Sequence, residues 1–290
     1  MRRTSTLAAA AAALLLCSCS KEEAAISPSQ TLMSDEIVFS AGGLEAEVLT
    51  KATSPVTSLQ AFNVNCVTGT MGSAETSIFN AAFSGTTSFT GGKYWPATDA
   101  GYKFYASNMT LTPSASGPTI AATNATDAVC AVLKTPTFRA SNVLAFEHVF
   151  ARIGSCKISA PADGATVKSI SVSITPKTGG TYSLFAGSGK TDGTGWTSVS
   201  TGSATTLTSK IGDTADSGLY LVPGSYTLTA KYTLTRDGYE ESFTKTATVS
   251  IVAGKVNNIS ATLPNSNAKQ ITFTVSVAEW GSNNITATLS

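Results

Sequence analysis

After residue 20, no segment keeps its apolar residues at the roughly 3.6-residue period of a helix through three turns. Alternation of apolar and polar residues recurs instead along the whole chain. This constrains the fold most: a period of two places alternate side chains on opposite faces of a strand. Val167–Ile174 alternates Val and Ile with Ser and Lys. Tyr226–Thr235 and Phe243–Ile251 behave alike and are joined through Arg236-Asp237-Gly238, a hairpin signal. In the first half, Leu59, Ala61, Phe62, Val64 and Cys66 fall near one face of the segment 57–66. Residues 102–106 and 127–133 read as further strands, and Gln270–Val277 and Ile285–Leu289 finish the chain. Short strands with turn signals between them predict an all-β chain of sandwich architecture.

Composition supports the same class. Ser and Thr together account for 81 of the 290 residues, with 24 Gly, the usage of strands joined by tight turns. The length suits two domains, with a join near residues 150–156. There are 19 basic and 18 acidic side chains, and Arg2 and Arg3 lie in a segment expected to be removed. A chain so close to neutral has no field to hold a phosphate backbone, so nucleic acid is not an expected partner. One histidine, His148, excludes multi-histidine metal sites and leaves few routes to a hydrolytic triad. No cofactor or metal is expected, and the composition leans away from an enzyme.

Met1-Arg2-Arg3 followed by an apolar run from Leu7 to Leu16 reads as a secretory signal peptide. Ten helical residues span about 15 Å, half of a bilayer's hydrocarbon core. Leu16-Cys17-Ser18-Cys19 resembles a bacterial lipobox, which makes Cys19 the expected lipid attachment site. Ser20-Lys21-Glu22-Glu23 resembles the surface-export signal of Bacteroides-type lipoproteins. The expected organisation is a signal peptide over 1–18, a flexible tether over 19–35, and β-sandwich domains over 36–150 and 151–290. Anchoring would come from the lipid chains. Cys66, Cys130 and Cys156 allow at most one disulfide, show no CxxC spacing, and sit in apolar runs as buried structural thiols do.

Several segments invite a chemical reading. Gly187-Ser-Gly-Lys-Thr191 looks like the end of a phosphate loop, but position 184 is Leu where the motif needs Gly, and the segment leads toward strand residue Trp196. His148, between Phe146 and Phe150, is expected to be a packed histidine with one hydrogen-bond partner. Asp213 and Asp216 are expected in a surface loop rather than a calcium site. Asp213-Thr214-Ala215 and the sequons at Asn108, Asn124, Asn258 and Asn284 are short matches that arise easily by chance. Trp95, Trp196 and Trp280 are candidates for a sugar platform or, more simply, core.

Taken in order, Glu36-Ile-Val-Phe39, Thr50-Lys51-Ala52-Thr53, Tyr94-Trp95-Pro96, Tyr102-Lys-Phe-Tyr105, Phe146–Ile153, Leu219–Gly224 and Val275–Trp280 resemble the fimbrillin family of Bacteroides-type (type V) pilins. The resemblance implies two transthyretin-like β-sandwich domains and display at the cell outer membrane as a surface lipoprotein of a fimbrium. It also implies cleavage by a trypsin-like protease after a basic residue. The matching position is Lys51, before Ala52, where the family more often has Arg. Removing Glu36–Lys51 would strip a strand from a sheet and open a groove that a strand of another fimbrial subunit fills by β-augmentation. The resemblance makes the C-terminal region 270–290 the donor. Residues 270–278 could equally close their own sandwich, so 284–290, with Ile285, Ala287 and Leu289 as pocket anchors, is the better donor segment. The expected role is therefore a structural subunit serving adhesion to a host or bacterial surface ligand. The alternative is a monomeric surface lipoprotein that binds glycans through exposed aromatics.

Overall fold

The computed structural model describes residues 35–44, 58–212, 216–265 and 271–279. Their regular secondary structure is almost entirely strand. The first nine are β1 (Phe39–Gly42), β2 (Ala61–Thr70), β3 (Ala74–Gly85), β4 (Phe89–Thr90), β5 (Lys103–Ser107), β6 (Thr119–Thr123), β7 (Val129–Leu133), β8 (Asn142–Ala145) and β9 (Glu147–His148). Next come β10 (Ala151–Ser159), β11 (Thr166–Ile174), β12 (Lys177–Ser183), a single helical turn α1 (Leu184–Gly187), β13 (Trp196–Thr201), β14 (Thr205–Leu207) and β15 (Ser209–Ile211). The chain then runs through β16 (Asp216–Leu221), β17 (Gly224–Arg236), β18 (Tyr239–Ile251), β19 (Lys255–Thr262) and β20 (Thr272–Glu279).

The first half forms one sheet with the order β8-β1-β4-β3-β2-β5-β7-β9. Because β9 follows β8 after the single residue Phe146, one continuous segment hydrogen-bonds to both ends of this path and closes it. Closure removes the sheet's free edges. The interior is aromatic: Phe39, Phe62, Phe83, Phe89, Phe104, Phe146 and Trp95 are all buried in one cluster. As expected, Phe62, Val64 and Cys66 point inward from β2; Ala61, expected on the same face, is exposed, and Leu59 precedes the strand.

The second half is a sandwich of two sheets. One has the order β15-β10-β19-β20 with β16 also on β10; the other is β14-β11-β17-β18. Ile153, Ile158, Ile259 and Phe273 from the first meet Val172, Leu228, Tyr232 and Ile251 from the second in a common core. The β17–β18 hairpin pairs thirteen residues on each strand without a shift, from Gly224↔Ile251 to Arg236↔Tyr239. Its two-residue turn has Asp237 at φ 50° and Gly238 at φ 82°, the left-handed pair a type I′ turn demands. A third sheet, β13-β12-β6, joins a strand from before residue 150 to two from after it. The cluster beside it likewise mixes Tyr105 and Ile120 with Tyr182, Leu184 and Tyr220.

Candidate functional site

The segment 35–44 has the most consequential position in the chain. Its alternation puts Ile37 and Phe39 inward, 1% and 0% exposed, with Ala41 half-buried behind them. Phe39 lies at the centre of the aromatic interior, edge-on to Phe83 at 5.2 Å and to Phe104 at 5.0 Å. Fully burying two such side chains contributes on the order of 3–6 kcal/mol.

Both edges of the segment are engaged. On one side β1 pairs in parallel with β8, from Phe39↔Asn142 to Gly42↔Ala145, and Phe146 N–H donates to the Gly42 carbonyl at 2.8 Å. On the other, Ile37 N–H donates to Lys93 O at 2.7 Å and Trp95 N–H donates to Asp35 O at 2.9 Å, with Phe39↔Phe89 completing the ladder. The entry to the strand is fixed by an ion pair between Asp35 and Arg139 at 3.2 Å. At the exit, Gly43 has φ 82°, and a Cβ there would stand 2.5 Å from Phe146 O, so only glycine suits this turn. The segment is thus a stave of a closed sheet. Taking it out leaves β8 and the 89–95 edge with unpaired backbone groups around an apolar slot, an arrangement that invites another strand.

Other candidates from the sequence fall into structural roles. His148 is buried, as expected, and its Nδ1 lies 2.8 Å from Asp127 Oδ2. Cys130, on the adjoining residue pair, has its thiol pushed up to about 12 by burial, so it stays protonated at neutral pH and offers that histidine no thiolate. Cys66, Cys130 and Cys156 are free and buried, with burial pushing Cys66 to about 12 and Cys156 to about 11. Gly189, Lys190 and Thr191 line an open cleft of about 320 Å³, where Gly189 N–H donates to the Glu147 carboxylate at 3.3 Å. That loop is preceded by the four-residue α1 and followed by β13, so it opens no helix that could hold a phosphate.

One expectation needs correction. Asp216 is not a surface-loop residue: it opens β16 and its Oδ2 accepts from Nη2 of the fully buried Arg152 at 2.6 Å. A buried guanidinium must be matched by a carboxylate, and this one comes from 64 residues away. Trp95 takes the simpler of its two readings, core: it is 3% exposed and packs edge-on to Phe104 and Phe138, which removes it as a sugar platform. Trp196 is half-buried against Phe150 and Tyr182. The sequon residues Asn108, Asn124 and Asn258 use their side chains on backbone partners: Asp127 O, Tyr220 O and Ser155 N–H respectively. Cys19, Lys51, Ala52, Asp213, Trp280, Asn284, Ile285, Ala287 and Leu289 lie outside the described residues.

Residues 50–280 match the fimbrillin-like family. Among solved structures, the chain is similar to a fimbrial protein from Bacteroides vulgatus, with 14% identity and a TM-score of 0.50 over 84% of this chain and 99% of that one. It is also similar to a protein from Bacteroides ovatus assigned provisionally to cell adhesion, with 14% identity and a TM-score of 0.47 over 86% and 98% of the two chains. No curated protein matches. At this identity the likeness to the Bacteroides vulgatus structure speaks to the fold alone. The family match covers most of the sequence, and on that ground the chain belongs to the fimbrillin-like family.

Proposed function

We propose that the protein is a structural subunit of a bacterial surface fimbria, serving cell adhesion and assembled by protease-triggered strand exchange. The observation that carries this reading is the seating of residues 35–44: an N-terminal strand, inward at Ile37 and Phe39, bonded on both edges, and followed within a few residues by Lys51. Cleavage after Lys51 would make Ala52 the new N-terminus and free the stave from covalent attachment. Its slot would then take a strand from another subunit, with main-chain bonds supplying affinity and alternate side chains supplying fit.

Export as a lipoprotein through Cys19 and display on the outer membrane are parts of the same reading, supported by the lipobox-like Leu16-Cys17-Ser18-Cys19. Two domains with a join near residue 150 are supported by the separate apolar cores on either side of it. Ile285, Ala287 and Leu289 are the anchors this chain would donate to a neighbour. The test is an unboiled denaturing gel of material sheared from cells, comparing wild type with Lys51→Gln. Strand-exchanged polymers dissociate slowly, so wild type should show a ladder that collapses on boiling and a mature N-terminus at Ala52. Lys51→Gln should show one band. A single band from wild type, boiled or not, with the N-terminal segment retained, would sink the reading.

A further inference from the structure

We infer that the slot under β1 reads its incoming strand by size, aliphatic then aromatic then small at alternate residues, and so takes a strand from a different subunit rather than from a second copy of this chain. This rests on the strand-exchange reading and specifies its partner. The resident strand is the template. Ile37 is 1% exposed and, with Cys66, Trp95, Tyr102 and Phe104, lines a small cavity of about 30 Å³. The Phe39 site is closed on two sides by the rings of Phe83 and Phe104, and its occupant is wholly buried. Ala41 stands opposite buried Leu144 in the β8 ladder, and two residues on, Gly43 leaves no space for a side chain.

The donor segment proposed for this chain does not fit that code. Aligned along β1 in either direction, Ile285, Ala287 and Leu289 bring alanine to the Phe39 site and a leucine or isoleucine to the Ala41 site. The first mismatch leaves a cavity and the second overpacks. Sliding by two residues sets Ala287 in the small site, but puts Asn283 in the Ile37 site and Leu289 where Gly43 stands. Ile271-x-Phe273-x-Val275 comes closer, yet those residues are buried in their own sandwich and paired to β19. The strand that fits is an extended segment carrying an aliphatic, an aromatic and an alanine-sized residue at alternate positions. The protein thereby sits at a junction between unlike subunits, receiving one sequence and offering another.

The test uses the full mature chain nicked by trypsin at Lys51, with Ala52 verified as the new N-terminus. Fluorescent peptides compete for the slot, read by anisotropy: residues 36–43, the same peptide with Phe39→Ala, and residues 283–289. The first should exchange into the protein, and the other two should bind roughly 100- to 1,000-fold more weakly. Binding of the 283–289 peptide within about threefold of the first, a gap too small for a lost phenyl ring, overturns the size code while leaving strand exchange intact. Failure of every peptide, including 36–43, overturns strand exchange and the code with it.

Discussion

Replacing Phe39 by alanine should be among the costliest single changes in the first half of the chain. The ring is fully buried and meets Phe83 and Phe104 edge-on. Its removal loses the transfer free energy of a phenyl group and leaves a cavity that a closed, aromatic-lined sheet cannot easily collapse. Phe→Ala changes of this kind cost about 3–5 kcal/mol, within which each edge-to-face pair contributes about 0.5–1.5 kcal/mol. A loss near 4 kcal/mol is therefore expected. The assay is urea unfolding followed by Trp95 fluorescence in a Trp196→Phe/Trp280→Phe background, since Trp95 belongs to the same apolar cluster as Phe39. Ser40→Ala, on the outward face of the same strand, should cost under about 0.5 kcal/mol. A loss below about 1 kcal/mol for Phe39→Ala would refute the claim that this strand holds the sheet closed.

Three further outcomes follow from the geometry. Asp216→Ala should destabilise the second half by about 2–4 kcal/mol, the lower part of the range reflecting the carboxylate's 30% exposure, and chemical denaturation should detect it. Alkaline conditions should destabilise the fold: Cys66, Cys130 and Cys156 start from 9.0 and are raised by burial to about 12, 12 and 11, so the folded state holds protons that the unfolded state releases. Their contribution is intact below pH 9 and is lost as pH climbs from there toward 12, with buried Tyr105, Tyr182 and Tyr226 acting in the same direction at higher pH; urea midpoints across that range check the sign. Gly238→Ala forces a Cβ into a left-handed position and should cost about 1 kcal/mol or more in thermal unfolding.

What the sequence disclosed, and what it withheld, follows from how local each signal is. The β17–β18 hairpin was readable because strict alternation flanks an Asp-Gly turn, and both features act within a few residues. The place of β1 as a stave was not readable, because β1 pairs with a strand more than 100 residues on, and register between distant strands leaves no local trace. β3 was missed because its buried side, at Phe79, Ala81 and Phe83, is interleaved with exposed Ile78 and Ala82, which blur the apolar period. β19 was missed because Asn257 and Asn258 break its alternation. Both asparagines serve the backbone there, Asn257 donating to Arg152 O and Val252 O while Asn258 accepts from Ser155 N–H. Arg152, set among Phe150, Ala151 and Ile153, gave no hint of its partner, since the ion pair closes only through the pairing of β10 with β16.

The central claim is that β1 must leave its slot for the protein to assemble. Ser40 and Val143 are register partners on the outward face of the β1–β8 ladder, so Ser40→Cys with Val143→Cys can tie the strand down. The measurement is the unboiled gel of protease-treated protein carrying this pair, oxidised and then reduced. The account predicts monomer only while the disulfide is intact and a boiling-sensitive ladder after reduction. A ladder from oxidised material in which the 40–143 crosslink is still present would contradict it.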